Sequence, residues 1–251
     1  MTQMNGQIVL ITGAGGGIGE ALVAAFRAAG ARLVACDRAL DQMASLTVDH
    51  RAAFDLTDPD ACREALAEIE SAVGLPDVVV SNAGYSEADT FDSVTDAVWA
   101  RELDVNLTGA RNVTAPLLSP MRARGSGSFV FIASVNGLAH FGNPAYSAAK
   151  AGLIAYARAL ATEGGRSGIR SNAICPGTVR TPAWARRIAR SPGILERIGR
   201  LYPLGRIVEP SEVAEAAVFL AGPAASAITG VALPVDAGLM AGNLPFIDEI
   251  R

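Results

Sequence analysis

The chain has 251 residues, of which 50% are hydrophobic, 18% are charged and 26 are glycine. This length and apolar content suit one α/β domain with a substantial core. The net charge is −4, with acidic residues and arginines interspersed, which argues against a nucleic-acid surface.

No targeting segment, membrane segment or metal site is predicted. The N-terminus lacks a basic region followed by an apolar stretch and a small-residue cleavage site. Glycines and prolines interrupt the longest uncharged run, 216–235, which favours a buried helix followed by a buried strand. Cys36, Cys62 and Cys175 are too few and too scattered for a disulfide framework or a zinc site. We therefore expect a cytoplasmic protein with no membrane or nucleic-acid partner.

Apolar runs of strand length alternate with helical patterns along the whole chain. The predicted strands span 8–11, 32–36, 51–54, 77–81, 128–133, 170–175 and 232–235, and the predicted helices 18–29, 58–73, 95–122, 145–165 and 210–221. Such alternation predicts parallel strands joined by right-handed crossovers, with helices on both faces. We expect a single α/β domain over 1–251, a Rossmann-type doubly wound sheet of about seven strands, with an arginine-rich excursion at about 180–206.

A glycine-rich turn, Thr12 to Gly19, follows the first predicted strand and opens the first predicted helix. A turn of this kind lets a pyrophosphate approach the backbone and meet the amides and the positive end of the helix. The order of strand, turn and helix therefore predicts a dinucleotide site. Its expected cofactor contacts are Gly13, Gly15, Gly17, Ile18 and Gly19.

Asp37 ends the second predicted strand, eighteen residues after Gly19. A carboxylate there would accept hydrogen bonds from an adenosine ribose diol and repel a 2′-phosphate, which favours NAD. The adjacent Arg38 could instead pair with that phosphate or stack on adenine. NADP is therefore the less favoured alternative.

Lys150 is the single lysine among 21 lysine and arginine residues, and it follows Tyr146 by four positions. Positions i and i+4 share one helix face, so the ammonium would lie near the phenol and favour phenolate. An ammonium is a compact charge on a flexible stem, whereas a guanidinium is a wide planar fork. A tyrosine whose pKa is lowered in this way could serve as an acid or base near neutral pH.

With both motifs identified, the chain resembles the short-chain dehydrogenase/reductase family over nearly its whole length. Further family-like segments begin at Asp55, Ser81, Asp104, Pro176 and Val235, although Ser81 stands where the family usually has asparagine. The resemblance implies that Asp55 and Leu56 contact adenine. It adds these cofactor contacts: Asn82, Ala83, Gly84, Tyr146, Lys150, Pro176, Gly177, Val179 and Thr181.

The same resemblance implies a catalytic set of Asn106, Ser134, Tyr146 and Lys150. Tyr146 would exchange a proton with the substrate oxygen, and Ser134 would hydrogen-bond that oxygen. Lys150 would lower the Tyr146 pKa and bind the nicotinamide ribose. Asn106 would fix a helix kink and a water that links Lys150 to solvent. The hydride itself would be exchanged with the nicotinamide.

Residues between Ser134 and Tyr146 are expected to face the substrate, together with Tyr85 and aromatic residues of the excursion. The candidates are Asn136, His140, Asn143, Trp184 and Tyr202. Their hydrogen-bonding groups favour a small polar substrate, namely a sugar, sugar acid, polyol or hydroxy acid. The arginines of 180–206 either form a polar helix face or bind an anionic substrate bidentately.

The leading prediction is an NAD(H)-dependent oxidoreductase that interconverts a secondary alcohol and a ketone. An NADPH-dependent 3-ketoacyl-thioester reductase is the alternative among enzymes. A noncatalytic dinucleotide-sensing regulator is the alternative from another class. A regulator would not need the active-site groups, yet all four of them are present in this chain, which favours an enzyme. The resemblance also implies a homotetramer formed through the helices near 95–122 and 145–165 and the C-terminal strand.

Overall fold

Seven parallel strands form one sheet in the part of the chain described by the computed structural model, residues 3–250. Their order across the sheet is 3-2-1-4-5-6-7. The strands are β1 (Ile8–Thr12), β2 (Arg32–Asp37), β3 (His50–Ala53), β4 (Val78–Ser81), β5 (Gly127–Ile132), β6 (Ile169–Pro176) and β7 (Ala232–Val235). The predicted doubly wound α/β fold class is confirmed, and each predicted strand lies within two residues of an observed one.

Helices cover both faces of this sheet. They are α1 (Gly17–Ala28), α2 (Pro59–Val73), α3 (Asp96–Leu103), α4 (Gly109–Arg124), α5 (Pro144–Gly164), α6 (Ala185–Arg190), α7 (Ile194–Gly199), α8 (Pro210–Ala221) and α9 (Leu244–Glu249). Helices α1 and α8 pack on one face, and α2, α4 and α5 pack on the other. Among residues 3–250, no helix is both long and apolar enough to cross a bilayer.

The central strands are buried on both faces, which explains their uninterrupted apolar sequence. In β1, Val9 and Ile11 belong to the core cluster under α1 and α8, whereas Ile8 and Leu10 belong to the cluster under α2, α4 and α5. Alternate side chains of one strand point to opposite faces, so a strand between two helical layers has no polar side. The apolar runs therefore identified the strands, whereas their order in the sheet depends on tertiary packing.

The strand order reverses between β1 and β4, because β2 and β3 lie to one side of β1 and the later strands lie to the other. In doubly wound sheets a ligand crevice forms at this switch point, outside the carboxyl ends of the strands. The predicted excursion leaves the sheet after β6 and contains α6 and α7. A parallel bridge between Val179 and Val208 closes its base.

Candidate active site

A cleft of about 1090 Å³ opens along the carboxyl edge of the sheet. The loops after β1, β2 and β3 line one half, and the loops after β5 and β6 line the other. The glycine turn and Asp37 lie in the first half, which we call the nucleotide end. Ser134, Tyr146 and the excursion lie in the second half, which we call the substrate end.

The glycine turn leaves no room for side chains on the backbone that faces the cleft. Gly13 has a φ of +63°, and a Cβ there would lie 2.8 Å from the Ala83 Cα. A Cβ on Gly15 would overlap the Gln42 carbonyl oxygen. Bare backbone beside the first turn of α1 fits the pyrophosphate of a dinucleotide.

Gly19 has a different role from the other glycines of the turn. It is buried, and a Cβ on it would overlap the Gly13 carbonyl oxygen, so it lets α1 pack closely against the turn. Every other predicted cofactor contact lines the cleft: Gly13, Gly15, Gly17, Ile18, Asp37, Arg38, Asp55, Leu56, Asn82, Ala83, Gly84, Tyr146, Lys150, Pro176, Gly177, Val179 and Thr181.

Two polar side chains brace the turn across the switch point. The Asn82 amide nitrogen donates to the carbonyl oxygens of Thr12 and Gly13, at 3.0 and 2.9 Å. The Thr12 hydroxyl accepts from the backbone N–H groups of Asn82 and Ala83, at 3.0 and 3.1 Å. These four bonds join the end of β1 to the end of β4 and hold the turn in shape.

The Asp37 carboxylate stands at the edge of the glycine turn. It accepts the backbone N–H of Gly15 at 3.0 Å and that of Arg38 at 2.8 Å. The residue also lines the cleft, so a carboxylate is held where the far end of a dinucleotide would lie. This arrangement fits a ribose diol as the hydrogen-bonding partner.

Three of the four predicted catalytic residues line the substrate end. Ser134 follows β5, and its hydroxyl accepts the Asn136 backbone N–H at 3.1 Å. Tyr146 and Lys150 lie on successive turns of α5, with the Lys150 Nζ 5.4 Å from the centre of the Tyr146 ring. Lys150 is 2% exposed, and its Nζ donates to the Ile132 carbonyl oxygen at 2.8 Å. The ammonium is therefore fixed against the end of β5.

Asn106, the fourth predicted catalytic residue, lies just behind the cleft wall. Its amide nitrogen donates to the carbonyl oxygens of Tyr85 and Glu102, and its amide oxygen accepts the Tyr85 N–H. A Cβ built on Gly84 would lie 3.1 Å from the Asn106 Oδ1 and 3.5 Å from the Lys150 Nζ. The side chains of Asn106 and Lys150 therefore both lie close to Gly84, although they come from two different helices.

The predicted helical stretch over 95–122 is interrupted by a π-helical turn. Helix α3 ends at Leu103, a π-helical turn spans Asp104–Thr108, and α4 begins at Gly109. Within this turn, the Asn106 side-chain amide donates a hydrogen bond to the Glu102 carbonyl oxygen at 2.8 Å. π-turns of this kind are frequent at functional sites. The π-turn lies at the residue where the family resemblance implied a helix kink.

The predicted lowering of the Tyr146 pKa is wrong for the protein without cofactor. Burial raises the pKa of Tyr146 to about 12, a hydrogen bond with Ser134 opposes this rise, and the charge of Glu102 adds to it. Burial also lowers the pKa of Lys150 to about 8. Desolvation is the largest cause of the pKa shift at both groups, because burial disfavours the charged form of each.

The lowered Lys150 pKa predicts a pH-dependent stability. The native state releases this proton near pH 8, whereas the unfolded chain holds it up to about 10.5. Because the unfolded state then binds more protons between these values, the free energy of unfolding rises with pH in that window. We expect Lys150→Met to stabilise the cofactor-free protein at pH 7, and this advantage to shrink by about 2 kcal/mol by pH 10. Urea unfolding of both proteins at the two pH values measures the difference; an unchanged difference would contradict the lowered pKa.

Glu102 is a buried residue of the site that the sequence patterns did not identify. One carboxylate oxygen accepts the backbone N–H groups of Glu87 and Ala88, at 2.6 and 3.2 Å. The other carboxylate oxygen is buried and has no hydrogen-bond partner among the described residues. Glu102 holds the loop after β4 against α3. Its spacing of four residues before Asn106 was the available clue, since both would share one helix face.

Four of the five predicted substrate residues line the cleft, and three of these form hydrogen bonds within the protein. The Asn136 amide nitrogen donates to the Gly142 carbonyl oxygen and the Ser147 hydroxyl, and that of Asn143 donates to the Ala88 carbonyl oxygen. The Tyr202 hydroxyl accepts the Thr178 N–H at 2.9 Å. These groups brace loops of the substrate end.

Trp184 lines the cleft with its ring stacked against the Arg187 guanidinium, 5.0 Å from the ring centre. His140, which was predicted to face the substrate, is exposed and is not part of the cleft lining.

Three of the seven arginines of 180–206 form ion pairs with acidic side chains. Arg180 pairs with Glu209, and Arg206 pairs with Glu212. Arg187 lines the cleft, but its guanidinium pairs with Asp89. Across residues 3–250, no group of three or more His, Cys, Asp or Glu residues is placed to hold a metal ion.

A glycine turn at the switch point of a doubly wound sheet, with serine, tyrosine and lysine at the other end of the same cleft, defines a dinucleotide-binding oxidoreductase. A family model described as enoyl-(acyl carrier protein) reductase matches residues 13–240. A solved oxidoreductase of the short-chain dehydrogenase/reductase family from Burkholderia thailandensis has a TM-score of 0.93 at 45% identity, covering 98% of each chain. The chain belongs to the short-chain dehydrogenase/reductase family.

Two relatives of known name differ in their substrates. An acetoacetyl-CoA reductase of Rhizobium meliloti (strain 1021) is 38% identical over 237 residues, which cover 92% of this chain and 98% of the relative. A galactitol 2-dehydrogenase (L-tagatose-forming) of Cereibacter sphaeroides is 38% identical over 246 residues, which cover 94% and 96%. The protein is therefore an NAD(P)-dependent oxidoreductase of this family, and its relatives' names support more than one substrate class.

Proposed function

We propose that the protein is an NAD(H)-dependent oxidoreductase that interconverts a secondary alcohol and a ketone. One observation carries the proposal: Ser134, Tyr146 and Lys150 line the end of the cleft opposite the Asp37 carboxylate, with Asn106 directly behind them. A bound dinucleotide would span the two ends, held by the glycine turn, Asp37 and Lys150. When bound, its nicotinamide would supply the hydride chemistry.

The protein's own residues would handle the proton and orient the substrate. Tyr146 would hold a proton at its hydroxyl, ready to give it to a ketone oxygen or to receive it from an alcohol. Ser134, the hydrogen-bond partner of Tyr146, would bind the same oxygen and stabilise charge that develops on it. Lys150 would hold the nicotinamide ribose, and Asn106 would keep the π-turn that closes the wall behind Lys150.

The preference for NAD over NADP is supported by the Asp37 carboxylate at the nucleotide end. A phosphate on the adenosine ribose would meet this negative charge at close range. The neighbouring Arg38 offers a compensating positive charge. We propose that the carboxylate dominates, because backbone N–H groups of Gly15 and Arg38 fix it at the turn.

Asp37→Ser is expected to raise the NADPH/NADH ratio of kcat/KM by about tenfold to a hundredfold. The repulsion removed is that of two charges near the protein surface, which is worth about 1 to 4 kcal/mol at contact distance. Steady-state kinetics with both cofactors measure the ratio. Asp41→Ser is the matched control, because Asp41 is an exposed acid four residues further along that lies outside the cleft. Equal ratios in the two variants would refute the role of Asp37.

The substrate proposals differ in what supports them. A small polar substrate is supported by the galactitol 2-dehydrogenase relative. An NADPH-dependent 3-ketoacyl-thioester reductase, the second candidate, is supported by the acetoacetyl-CoA reductase relative. A screen that follows NADH or NADPH absorbance with polyols, hydroxy acids, alkanols and acyl thioesters separates them. A homotetramer and a cytoplasmic location remain predictions.

A further inference from the structure

We infer that the substrate end of the cleft selects an uncharged secondary alcohol or ketone with an apolar substituent. This inference rests on the proposed oxidoreductase function and names its substrate class. The proposed substrate differs from the polar substrate that the sequence favoured. Two observations support it: large apolar side chains line this end of the cleft, and several polar side chains there are bonded within the protein.

Large apolar side chains line the substrate end from four separate segments. Together they form what we call the apolar wall: Phe141, Trp184, Ile194, Ile198, Leu201 and Leu239. Phe141 is 47% exposed and Leu201 is 49% exposed, although both belong to the cleft lining. Apolar surface left open inside a cleft is typical of a binding site.

Three apolar side chains of α7 and of the two residues after it are arranged on one side, which lines the cleft. Ile194 and Ile198 of α7, together with Leu201 two residues after its end, recur at helical spacing and line the cleft. The intervening positions of the segment carry exposed charges, Glu196, Arg197 and Arg200, and a buried Leu195. The segment 194–201 therefore has one side for the core, one for solvent and an apolar side that lines the cleft, where a substrate substituent could cover it.

Several polar side chains that line the substrate end form hydrogen bonds or ion pairs within the protein. Asn136 and Asn143 hold the loops before α5, and Tyr202 holds the loop after β6. The Arg187 guanidinium pairs with Asp89 and stacks on Trp184. An anionic substrate would have to break this ion pair, whereas an apolar substituent would cover the apolar wall without disturbing it.

The hydroxyl groups of Ser86 and Thr178 also line the cleft. They allow a second oxygen on the substrate, whereas the apolar wall offers a polyol no hydrogen-bond partners. A polyol on the apolar wall would lose hydrogen bonds to water without gaining partners. The apolar wall therefore discriminates against polyhydroxy substrates by desolvation and favours alkyl or ring substituents by burial.

The test uses a homologous series of 2-alkanols from butan-2-ol to octan-2-ol, with NAD⁺ and the full-length enzyme. We expect kcat/KM to rise about fourfold for each added methylene until the apolar wall is covered. Galactitol, a sugar acid and a hydroxy acid provide the polar comparison and are expected to react at least tenfold less efficiently than octan-2-ol.

A binding measurement separates recognition from turnover. Octan-2-one cannot react in the presence of NAD⁺, so calorimetric titration of this pair measures the affinity alone. We expect Leu201→Asn to weaken octan-2-one binding at least fivefold and to flatten the chain-length series. Leu204→Asn is the matched control, because Leu204 is 65% exposed and lies outside the cleft lining; it should leave both measurements unchanged.

The outcomes distinguish this inference from the function on which it rests. More efficient turnover of a polyol, an acid or a thioester than of any alkanol overturns the inference and leaves the oxidoreductase function in place. A chain-length series that is flat, or is changed equally by both leucine variants, also overturns it. If no substrate of any class is turned over faster by the wild type than by Tyr146→Phe, both the inference and the proposed function fail.

Discussion

Replacing Tyr146 with phenylalanine is expected to lower kcat/KM by about a thousandfold while leaving the dissociation constant of NADH within about twofold. A positioned proton donor and acceptor contributes typically 10² to 10⁴ to the rate, and this variant removes only the hydroxyl. The ring would remain on the first turns of α5, beside Lys150. Fluorescence titration of NADH and steady-state kinetics on one preparation measure the two quantities.

The raised Tyr146 pKa sharpens this prediction. A phenol whose pKa is about 12 in the cofactor-free protein holds its proton at neutral pH. Ketone reduction, which needs a proton donor, would then proceed from the protonated form without a further change. Alcohol oxidation, which needs an acceptor, would depend on positive charge brought near the phenol, and its rate should rise with pH more steeply than that of reduction.

Tyr156→Phe is the matched control on the same helix. The Tyr156 hydroxyl lies 3.0 Å from the Thr114 hydroxyl, and its ring packs edge-on against Phe131 on the core side of α5. Loss of that hydrogen bond should cost about 1 kcal/mol of stability and leave kcat/KM unchanged. Full activity in Tyr146→Phe, or equal losses in the two variants, would refute the proposed role of Tyr146.

Lys150→Arg is expected to lower kcat/KM by about a hundredfold and to weaken NADH binding measurably, although the net charge is conserved. Lys150 is buried. Its ammonium donates to the Ile132 carbonyl oxygen and lies close to Gly84, which also lies close to the Asn106 side chain. A guanidinium is wider and planar, so it cannot make the same bond without displacing a neighbour. Losing one aligned donor at a reacting site typically costs 10² to 10³ in rate.

The control for this variant is Arg158→Lys, an exposed position on the same helix. Combined with Lys150→Arg it keeps one lysine in the chain and moves it out of the cleft. The double variant should be as impaired as Lys150→Arg, whereas Arg158→Lys alone should be fully active. Wild-type NADH affinity and turnover in Lys150→Arg would show that the position requires only a positive charge.

Much of the fold could be predicted from the sequence because its determinants are local. Strands buried on both faces must be mainly apolar, as β1 is, and a turn that approaches a phosphate must lack side chains, as at Gly13 and Gly15. The spacing of Tyr146 and Lys150 on one helix likewise follows from helix geometry alone. The strand alternation, the glycine turn and the shared helix face of Tyr146 and Lys150 could therefore be predicted from the chain itself.

Other features depend on contacts between distant segments, and only the tertiary structure decided them. The π-turn at Asn106 depends on a carbonyl oxygen of Tyr85 that belongs to another loop. Asn143 was predicted to face a substrate, but Ala88 accepts its amide hydrogen bond. The Tyr146 pKa depends on burial, which no local spacing reports. Sequence patterns specify which polar groups are available, whereas packing determines which of them remain free for a substrate.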